Sequence, residues 1–227
     1  MTIITGSDKS HRGCVQNLRC SCRGFGYRFL VYDYDGTDHD IPFPIDFESY
    51  KKHGKVDYAP KLSHKPWVIY DALNRANDYC YCYCDADVEF LSPIPEVGKA
   101  DFDIGVTAHP APLVKEWPKY HMYPEMSAYL NAGVIFFKKS PETLRFIRVW
   151  MKEVKQCGTR SDQHALTNLV RRAFGLQQWY MGDVKVVAGA RVKLFDSTIY
   201  NYVPRYKLLN VFPKIIHHIG QKVCVDS

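Results

Sequence analysis

The chain has 227 residues, 46% of them hydrophobic and 24% charged, with 14 Gly and 13 Pro. That is an ordinary globular composition, which excludes collagen-like, low-complexity and wholly disordered proteins. Lys and Arg number 30 against 24 Asp and Glu, a net charge of +6, which fits an anionic ligand (a nucleotide, a phospholipid surface or nucleic acid) as readily as it fits a plain basic surface.

No run of about 18 apolar residues marks a transmembrane helix. The opening residues, Met1-Thr2-Ile3-Ile4-Thr5-Gly6-Ser7-Asp8, read as a first strand and not as a signal peptide. With that start, the eight Cys are expected to be reduced and the protein cytoplasmic.

In chain order, residues 1–5 predict a strand and 10–23 a helix with Val15, Leu18 and Cys22 on one face. A second strand follows over 28–33, then a polar loop over 34–58. Ser63 and Pro66 open a helix whose apolar face is expected to hold Trp67, Tyr70, Leu73 and Asn74. Tyr79-Cys80-Tyr81-Cys82-Tyr83-Cys84 is strand-like and ends in Asp85-Ala86-Asp87.

A further strand is expected over 101–108. Residues 108–130, with four prolines and Trp117, Tyr120, Tyr123 and Tyr129, read as an irregular excursion. Its three leading aromatics are candidate acceptor contacts, or else a packed surface loop. Asn131-Ala132-Gly133 precedes an apolar strand over 134–137. Ser140-Pro141 starts an amphipathic helix through Leu144, Ile147, Met151 and Val154, and Ser161 caps another that stops at Gly175. Short strands fill 184–195, and the closing segment carries His217-His218-Ile219-Gly220-Gln221-Lys222.

Strands alternating with helices predict a mixed α/β sheet covered on both faces. Ligands of such sheets bind at the carboxyl ends of the strands. Three polar motifs sit at those ends. Asp85 and Asp87 offer hard oxygen ligands for Mg²⁺ or Mn²⁺; the plain alternative is a solvated acidic turn. His217 could complete a metal shell, Gly220 admits close backbone approach to a phosphate, and Lys222 supplies a point charge; the alternative is a solvated strand end. Asn131 and Ala132, with Asp162 and Gln163 at a helix start, suit a polyhydroxyl ligand, or are an ordinary turn and routine helix-start polarity.

Two decoys compete. Asp33-Tyr34-Asp35-Gly36-Thr37 matches the D-x-D-G-T signature of haloacid-dehalogenase-like phosphatases, with Asp33 as nucleophile and Asp35 as acid/base. The later acidic pair of that fold is lacking, since the residue four beyond Asp183 is Val187. Cys80, Cys82 and Cys84 have C-x-C spacing, but in a strand they stand about 7 Å apart, too far to share one zinc easily.

The ordered set resembles the glycosyltransferases of GT-A fold, most closely glycosyltransferase family 8, the group of glycogenin and the bacterial lipopolysaccharide galactosyltransferases. The resemblance runs through Thr5-Gly6-Ser7-Asp8, Lys65-Pro66, Tyr83-Cys84-Asp85-Ala86-Asp87, Leu130-Asn131-Ala132-Gly133-Val134, Ser161-Asp162-Gln163, and His217 with Gly220 and Lys222. It implies one GT-A domain over 1–227, a Rossmann-like mixed sheet with helices on both faces.

It further implies a metal-dependent transfer of sugar from a nucleotide-sugar, expected to be a UDP-sugar, with retention at the anomeric carbon. Asp85, Asp87 and His217 then correspond to ligands of Mn²⁺ (or Mg²⁺). Thr5, Asp8, His11, Lys65 and Ala86 correspond to donor-nucleotide positions, His11 where an aromatic ring often stacks on the base. Gly220 and Lys222 correspond to diphosphate contacts, and Asn131, Ala132, Asp162 and Gln163 surround the donor sugar. The closing motif is one residue shorter than in many members. The acceptor is a saccharide, a lipid-linked glycan or a hydroxylated base in DNA, the last with a steep salt dependence. A nucleotide-sugar-binding protein without turnover is the non-enzymatic alternative.

Overall fold

The computed structural model describes residues 1–35, 41–43, 64–109, 129–156, 162–174, 181–204 and 211–219. Strand β1 (Thr2–Ser7) leads through a 3-10 turn (Lys9–His11) into α1 (Arg12–Ser21), and β2 (Arg28–Asp33) follows. A short β3 (Ile41–Pro42) lies inside the stretch expected to be loop. It is an edge strand, the place in a sheet that tolerates a proline.

Next come α2 (Lys65–Arg75), β4 (Cys80–Cys84), β5 (Val88–Phe90), α3 (Pro95–Lys99), β6 (Ile104–Ala108) and β7 (Leu130–Lys138). The described chain continues through α4 (Pro141–Gln156), α5 (Asp162–Phe174), β8 (Val184–Val187), β9 (Ala190–Phe195), α6 (Ser197–Tyr200) and β10 (Ile215–His217).

Eight strands form one mixed sheet in the order β3-β2-β1-β4-β7-β6-β9-β8, and β10 pairs with β5 in a two-stranded sheet. β1 runs parallel to β2 and β4, β6 runs parallel to β9, and β7 is antiparallel to both β4 and β6.

The sequence of β4 explains how the sheet is covered. Successive strand residues point to opposite faces. Tyr81 and Tyr83 therefore enter one core with Ile69, Phe146 and Trp150 from α2 and α4. Cys80, Cys82 and Cys84 enter a second with Leu18 of α1, Phe102 and Phe195. The six described cysteines are free, and burial pushes the Cys22 thiol up to about 12. All but the exposed Cys20 are buried and pack as small hydrophobes, and none belongs to a candidate metal group among the described residues.

Helix α4 is amphipathic as expected, but of the four residues expected on its apolar face Ile147 and Val154 are buried while Leu144 and Met151 are only partly buried. Thr143, Phe146, Ile147, Trp150 and Val154 are buried, and Ser140 Oγ caps the helix by accepting from the Thr143 N–H at 3.0 Å. Helix α2 corrects the expected face. Its buried stripe is Pro66, Val68, Ile69, Ala72 and Leu73. Trp67 and Tyr70 lie on the flank, under the cations of Lys155 and Arg148 of α4, and Asn74 is exposed. The aliphatic residues at i, i+1, i+4 and i+5 define the stripe, and the aromatics cover its rim. Ser63, Ser161 and Gly175 lie outside the described residues. No helix of the described residues is long and apolar enough to cross a membrane.

Candidate active site

Topology gathers the polar motifs. β1 and β4 are parallel, so Asp8 and Asp85 leave the sheet at the same edge. β7 is antiparallel to β4, with Cys84 opposite Val134, so its first residues reach that edge too. The Asp85 N–H donates to the Gly133 carbonyl at 2.9 Å. β5 follows directly from Asp87, and β10 pairs with it so that His217 stands opposite Val88. The His218 N–H donates to the Asp87 carbonyl at 2.9 Å. His217 is thus sewn to the Asp85-Ala86-Asp87 turn by backbone hydrogen bonds across 130 positions of sequence.

One ligand atom from each of Asp85, Asp87 and His217 lies within 4.8 Å of the other two, the one such group found among the described residues. His217 Nε2 is 3.3 Å from Asp87 Oδ1 and 3.8 Å from Asp85 Oδ2. Burial pushes the Asp87 carboxyl up, but the hydrogen bond and charge of His217 and the charge of Lys65 outweigh it and leave Asp87 below the usual range. Two carboxylates and an imidazole at this spacing fit a divalent cation that takes oxygen and nitrogen ligands.

Lys65, at the start of α2, is buried. Its ammonium is 2.8 Å from Asp85 Oδ1 and donates to the Ala132 carbonyl at 3.0 Å. Burial lowers its pKa, yet Asp85 and Asp162 raise it by more; Lys65 is a permanent cation among carboxylates. The Tyr83 hydroxyl adds a bond to Asp85 Oδ1 at 3.3 Å.

Asp162 and Gln163 open α5 beside this group. Asp162 Oδ2 accepts from the Lys65 N–H at 3.4 Å. Burial, helped by the charge of Asp85 and opposed by Lys65, pushes the Asp162 carboxyl up to about 7. Gln163 Oε1 accepts from the Ala132 N–H at 3.1 Å, and Nε2 lies 3.5 Å from His109 Nε2. Asn131 Oδ1 accepts from the Gly133 N–H at 2.9 Å. Asn131, Ala132, Asp162, Gln163, Lys65 and Asp85 therefore form one connected neighbourhood.

At the end of β1, the Asp8 carboxylate accepts from the Ser10 N–H at 3.0 Å and meets His11 Nδ1 at 2.7 Å, with the His11 ring exposed. Thr5 Oγ1 is buried without a hydrogen-bond partner among the described residues. Ala86 packs its methyl against Cys14, Val15 and Val31. Gly220, Lys222, Trp117, Tyr120 and Tyr123 lie outside the described residues.

Asp33 and Asp35 of the phosphatase signature serve a turn; Gly36 and Thr37 lie outside the described residues. Asp33 Oδ1 accepts from the Asp35 N–H at 3.0 Å, and Asp35 Oδ2 accepts from the Lys9 N–H at 2.5 Å.

Sequence reasoning missed several groups. Tyr83 was accessible to it, because strand alternation sets the ring two residues before Asp85. His109, stacked on Tyr129 at 5.7 Å between ring centroids, sits at the end of β6 with no motif around it. Asn201 touches His217, and Thr107 touches Asn201, from distant positions.

A family profile described as nucleotide-diphospho-sugar transferase matches residues 38–219. A search of curated proteins finds no match. Among solved structures, the chain is similar to a glycosyltransferase involved in glycosylation of the major capsid of PBCV-1. That likeness has 18% identity and a TM-score of 0.60, over 97% of this chain and 93% of the other. It is similar to the galactosyltransferase LgtC in complex with donor and acceptor sugar analogues, with 17% identity and a TM-score of 0.59, over 99% and 91%. The glycosyltransferase GlyE of Streptococcus pneumoniae TIGR4 aligns at 12% identity and a TM-score of 0.56, over 97% of this chain and 55% of the other. The matched span holds the Asp85–Asp87 turn, Asn131, Gln163 and His217, and the fold is shared at near full length; the chain belongs to the nucleotide-diphospho-sugar transferase family and is a glycosyltransferase of GT-A fold, similar to family 8.

Proposed function

We propose that the whole chain is one transferase domain that moves a sugar from a UDP-sugar to a hydroxyl acceptor, with retention and with Mn²⁺ as the preferred cation. The observation that carries this is the convergence of Asp85, Asp87 and His217 within 4.8 Å. An imidazole nitrogen beside two carboxylates favours Mn²⁺ over Mg²⁺, which prefers an all-oxygen shell. When bound, the cation neutralises charge on the departing diphosphate.

The chain's own groups do the rest. Asp8 and His11 hold the base, with the exposed imidazole as a stacking surface, and the buried Thr5 hydroxyl is satisfied by the donor nucleotide. The Ala86 backbone carries the turn between the two carboxylates. Lys65 keeps positive charge beside Asp85, and Gly220 and Lys222 are the diphosphate contacts. Asn131, Ala132, Asp162 and Gln163 grip the donor sugar.

Gln163 orients that sugar through an amide anchored on the Ala132 N–H. An amide is a weak nucleophile, so retention proceeds by attack of the acceptor hydroxyl on the face the diphosphate leaves. By likeness to LgtC, whose structure holds sugar analogues of donor and acceptor, the acceptor is a saccharide hydroxyl.

The test is a panel of nucleotide sugars with Mn²⁺, scored for hydrolysis and for transfer to saccharide acceptors. UDP-sugars should turn over fastest, Asp87→Ala should abolish turnover while the fold persists, and EDTA should stop the wild type. Undiminished turnover in EDTA would refute the metal dependence, and donor binding without turnover would refute the enzymatic reading.

A further inference from the structure

The sequence gives no hint of how the imidazole of His217 is aimed, and the structure does. His217 is 4% exposed and rises into a space that only a glycine leaves open, at Gly133. Its Nε2 faces Asp85 and Asp87. Its other nitrogen, Nδ1, lies 3.1 Å from Asn201 Oδ1. Asn201 is 2% exposed, and its Nδ2 donates to Thr107 Oγ1 at 2.7 Å. Thr107 is fully buried, and its hydroxyl donates to the Asn131 carbonyl at 3.4 Å.

The direction of this chain is set at its far end. A carbonyl oxygen only accepts, so Thr107 gives its one hydrogen to Asn131. The hydroxyl oxygen must then accept from Asn201, which turns the amide nitrogen toward Thr107 and the amide oxygen toward His217. An amide oxygen facing Nδ1 requires a proton on Nδ1, so Nε2 is the nitrogen that can give up its proton and offer a lone pair when a cation binds between it and the carboxylates. The reversed amide would put N–H against Nδ1, leave the proton on Nε2, and take the hydroxyl hydrogen from the Asn131 carbonyl.

The backbone holds these groups still. Asp196 Oδ1 accepts from the Thr198 N–H at 2.8 Å and caps α6. The Asn201 N–H closes that helix on the Ser197 carbonyl at 3.1 Å, and the His217 N–H donates to the Tyr202 carbonyl at 2.8 Å. On the other side, the register of β6 on β7 shifts between Gly105 and Thr107. A bulge of this kind re-aims a side chain.

The geometry points to Asn201, braced by Thr107, as the positioning residue that fixes the proton of His217 on Nδ1 and so presents Nε2 as a metal ligand. The inference rests on the metal reading of Asp85, Asp87 and His217. It also joins the metal to the start of β7, because the same buried hydrogen bonds end on Asn131. Partners of metal-bound imidazoles commonly set affinity by about 10- to 100-fold without touching the ion.

The test uses the full chain, ¹⁵N-labelled for NMR of the His217 ring and titrated with Mn²⁺ by electron paramagnetic resonance. Wild-type His217 should carry a slowly exchanging Nδ1–H. Asn201→Leu should lose that signal and bind Mn²⁺ about 10- to 100-fold more weakly. Asn201→Asp keeps an acceptor on Nδ1 and should restore both signal and affinity to within a few-fold. Thr107→Val, close in shape, should weaken Mn²⁺ binding by a smaller factor.

A bare Nδ1 in the wild type, with the proton on Nε2, would overturn the inference without any variant. So would Asn201→Leu and Thr107→Val proteins that bind Mn²⁺ like the wild type. If Asn201→Leu fails to fold, the wild-type ring spectrum and Thr107→Val decide. A wild type that shows the Nδ1–H but binds no Mn²⁺ would overturn the metal reading itself, and the inference with it.

Discussion

A methyl group placed on Gly133 would lie 2.0 Å from Cε1 and 2.4 Å from Nδ1 of His217. The ring cannot give way, because Asn201 holds its Nδ1 and the Tyr202 carbonyl holds its backbone N–H. Gly133→Ala should therefore displace the imidazole from Asp85 and Asp87. We expect a stable fold weakened by about 1–3 kcal/mol, as for other overpacked cores, with turnover down at least about 100-fold if misplacement costs what it does in other enzymes. Urea melts and donor hydrolysis measure the two effects separately. Full activity in Gly133→Ala would show that His217 has no part in the chemistry.

Asp162 predicts a pH dependence of stability. Its carboxyl is pushed up to about 7 in the folded chain, chiefly by burial, against an ordinary value of 3.8. Between those two values the unfolded chain is ionised at this position and the folded chain is protonated. This group's contribution to stability is thus complete below about pH 4, falls as pH rises, and is gone above about pH 7. Lys65, raised from its ordinary 10.5, loses its contribution only above that range. In thermal melts at pH 5 and pH 8 with EDTA present, the wild type should lose more stability on going up in pH than Asp162→Asn does. Equal losses would mean that Asp162 is not the group responsible.

Thr5 offers a different separation of stability from binding. Its hydroxyl is buried and lacks a hydrogen-bond partner among the described residues. A buried unsatisfied polar group costs about 1–3 kcal/mol. Thr5→Val keeps the shape and removes that cost, so the free protein should melt higher. If the donor nucleotide supplies the missing partner, the same change should weaken UDP binding several-fold by calorimetry. A variant that gains stability and keeps its affinity would make the hydroxyl a structural defect unrelated to the ligand.

What could be read without coordinates follows a physical division. Asp85, Asp87, Asn131 and Gln163 sit beside apolar runs whose period marks strand or helix, and such ends meet at one edge of an α/β sheet. Their convergence was legible for that reason. The contact of Asn201 with Thr107 spans 94 positions and exists because β6 lies beside β7 and β9 in the sheet order. No local period encodes that order. The face of α2 differs from the expected one because Val68, Ile69 and Ala72, not the aromatics, form its buried stripe. In the folded chain the small aliphatics fit closest to the sheet, and Trp67 and Tyr70 take the rim, where cations of α4 lie over their rings.

Trp150 ties the core to the site and carries the last prediction. It is fully buried on α4, yet its indole Nε1 donates to the Asp162 carbonyl at 2.9 Å, at the first residue of α5. That bond sets where α5 begins, and hence where Asp162 meets the Lys65 N–H and where Gln163 meets the Ala132 N–H. Trp150→Phe keeps a ring in the core but removes the donor and some volume. Stability should drop by about 2–4 kcal/mol, from a carbonyl left without its partner and a small cavity. The informative measurement is made well below the melting temperature, where the variant is still folded. There kcat should fall about 10-fold or more while Mn²⁺ affinity stays near the wild-type value, because Asp85, Asp87 and His217 are held by other strands. A loss of Mn²⁺ affinity equal to the loss of kcat would mean that α5 and the metal ligands move as one unit, and that the start of this helix is not an independent support of the sugar-facing residues.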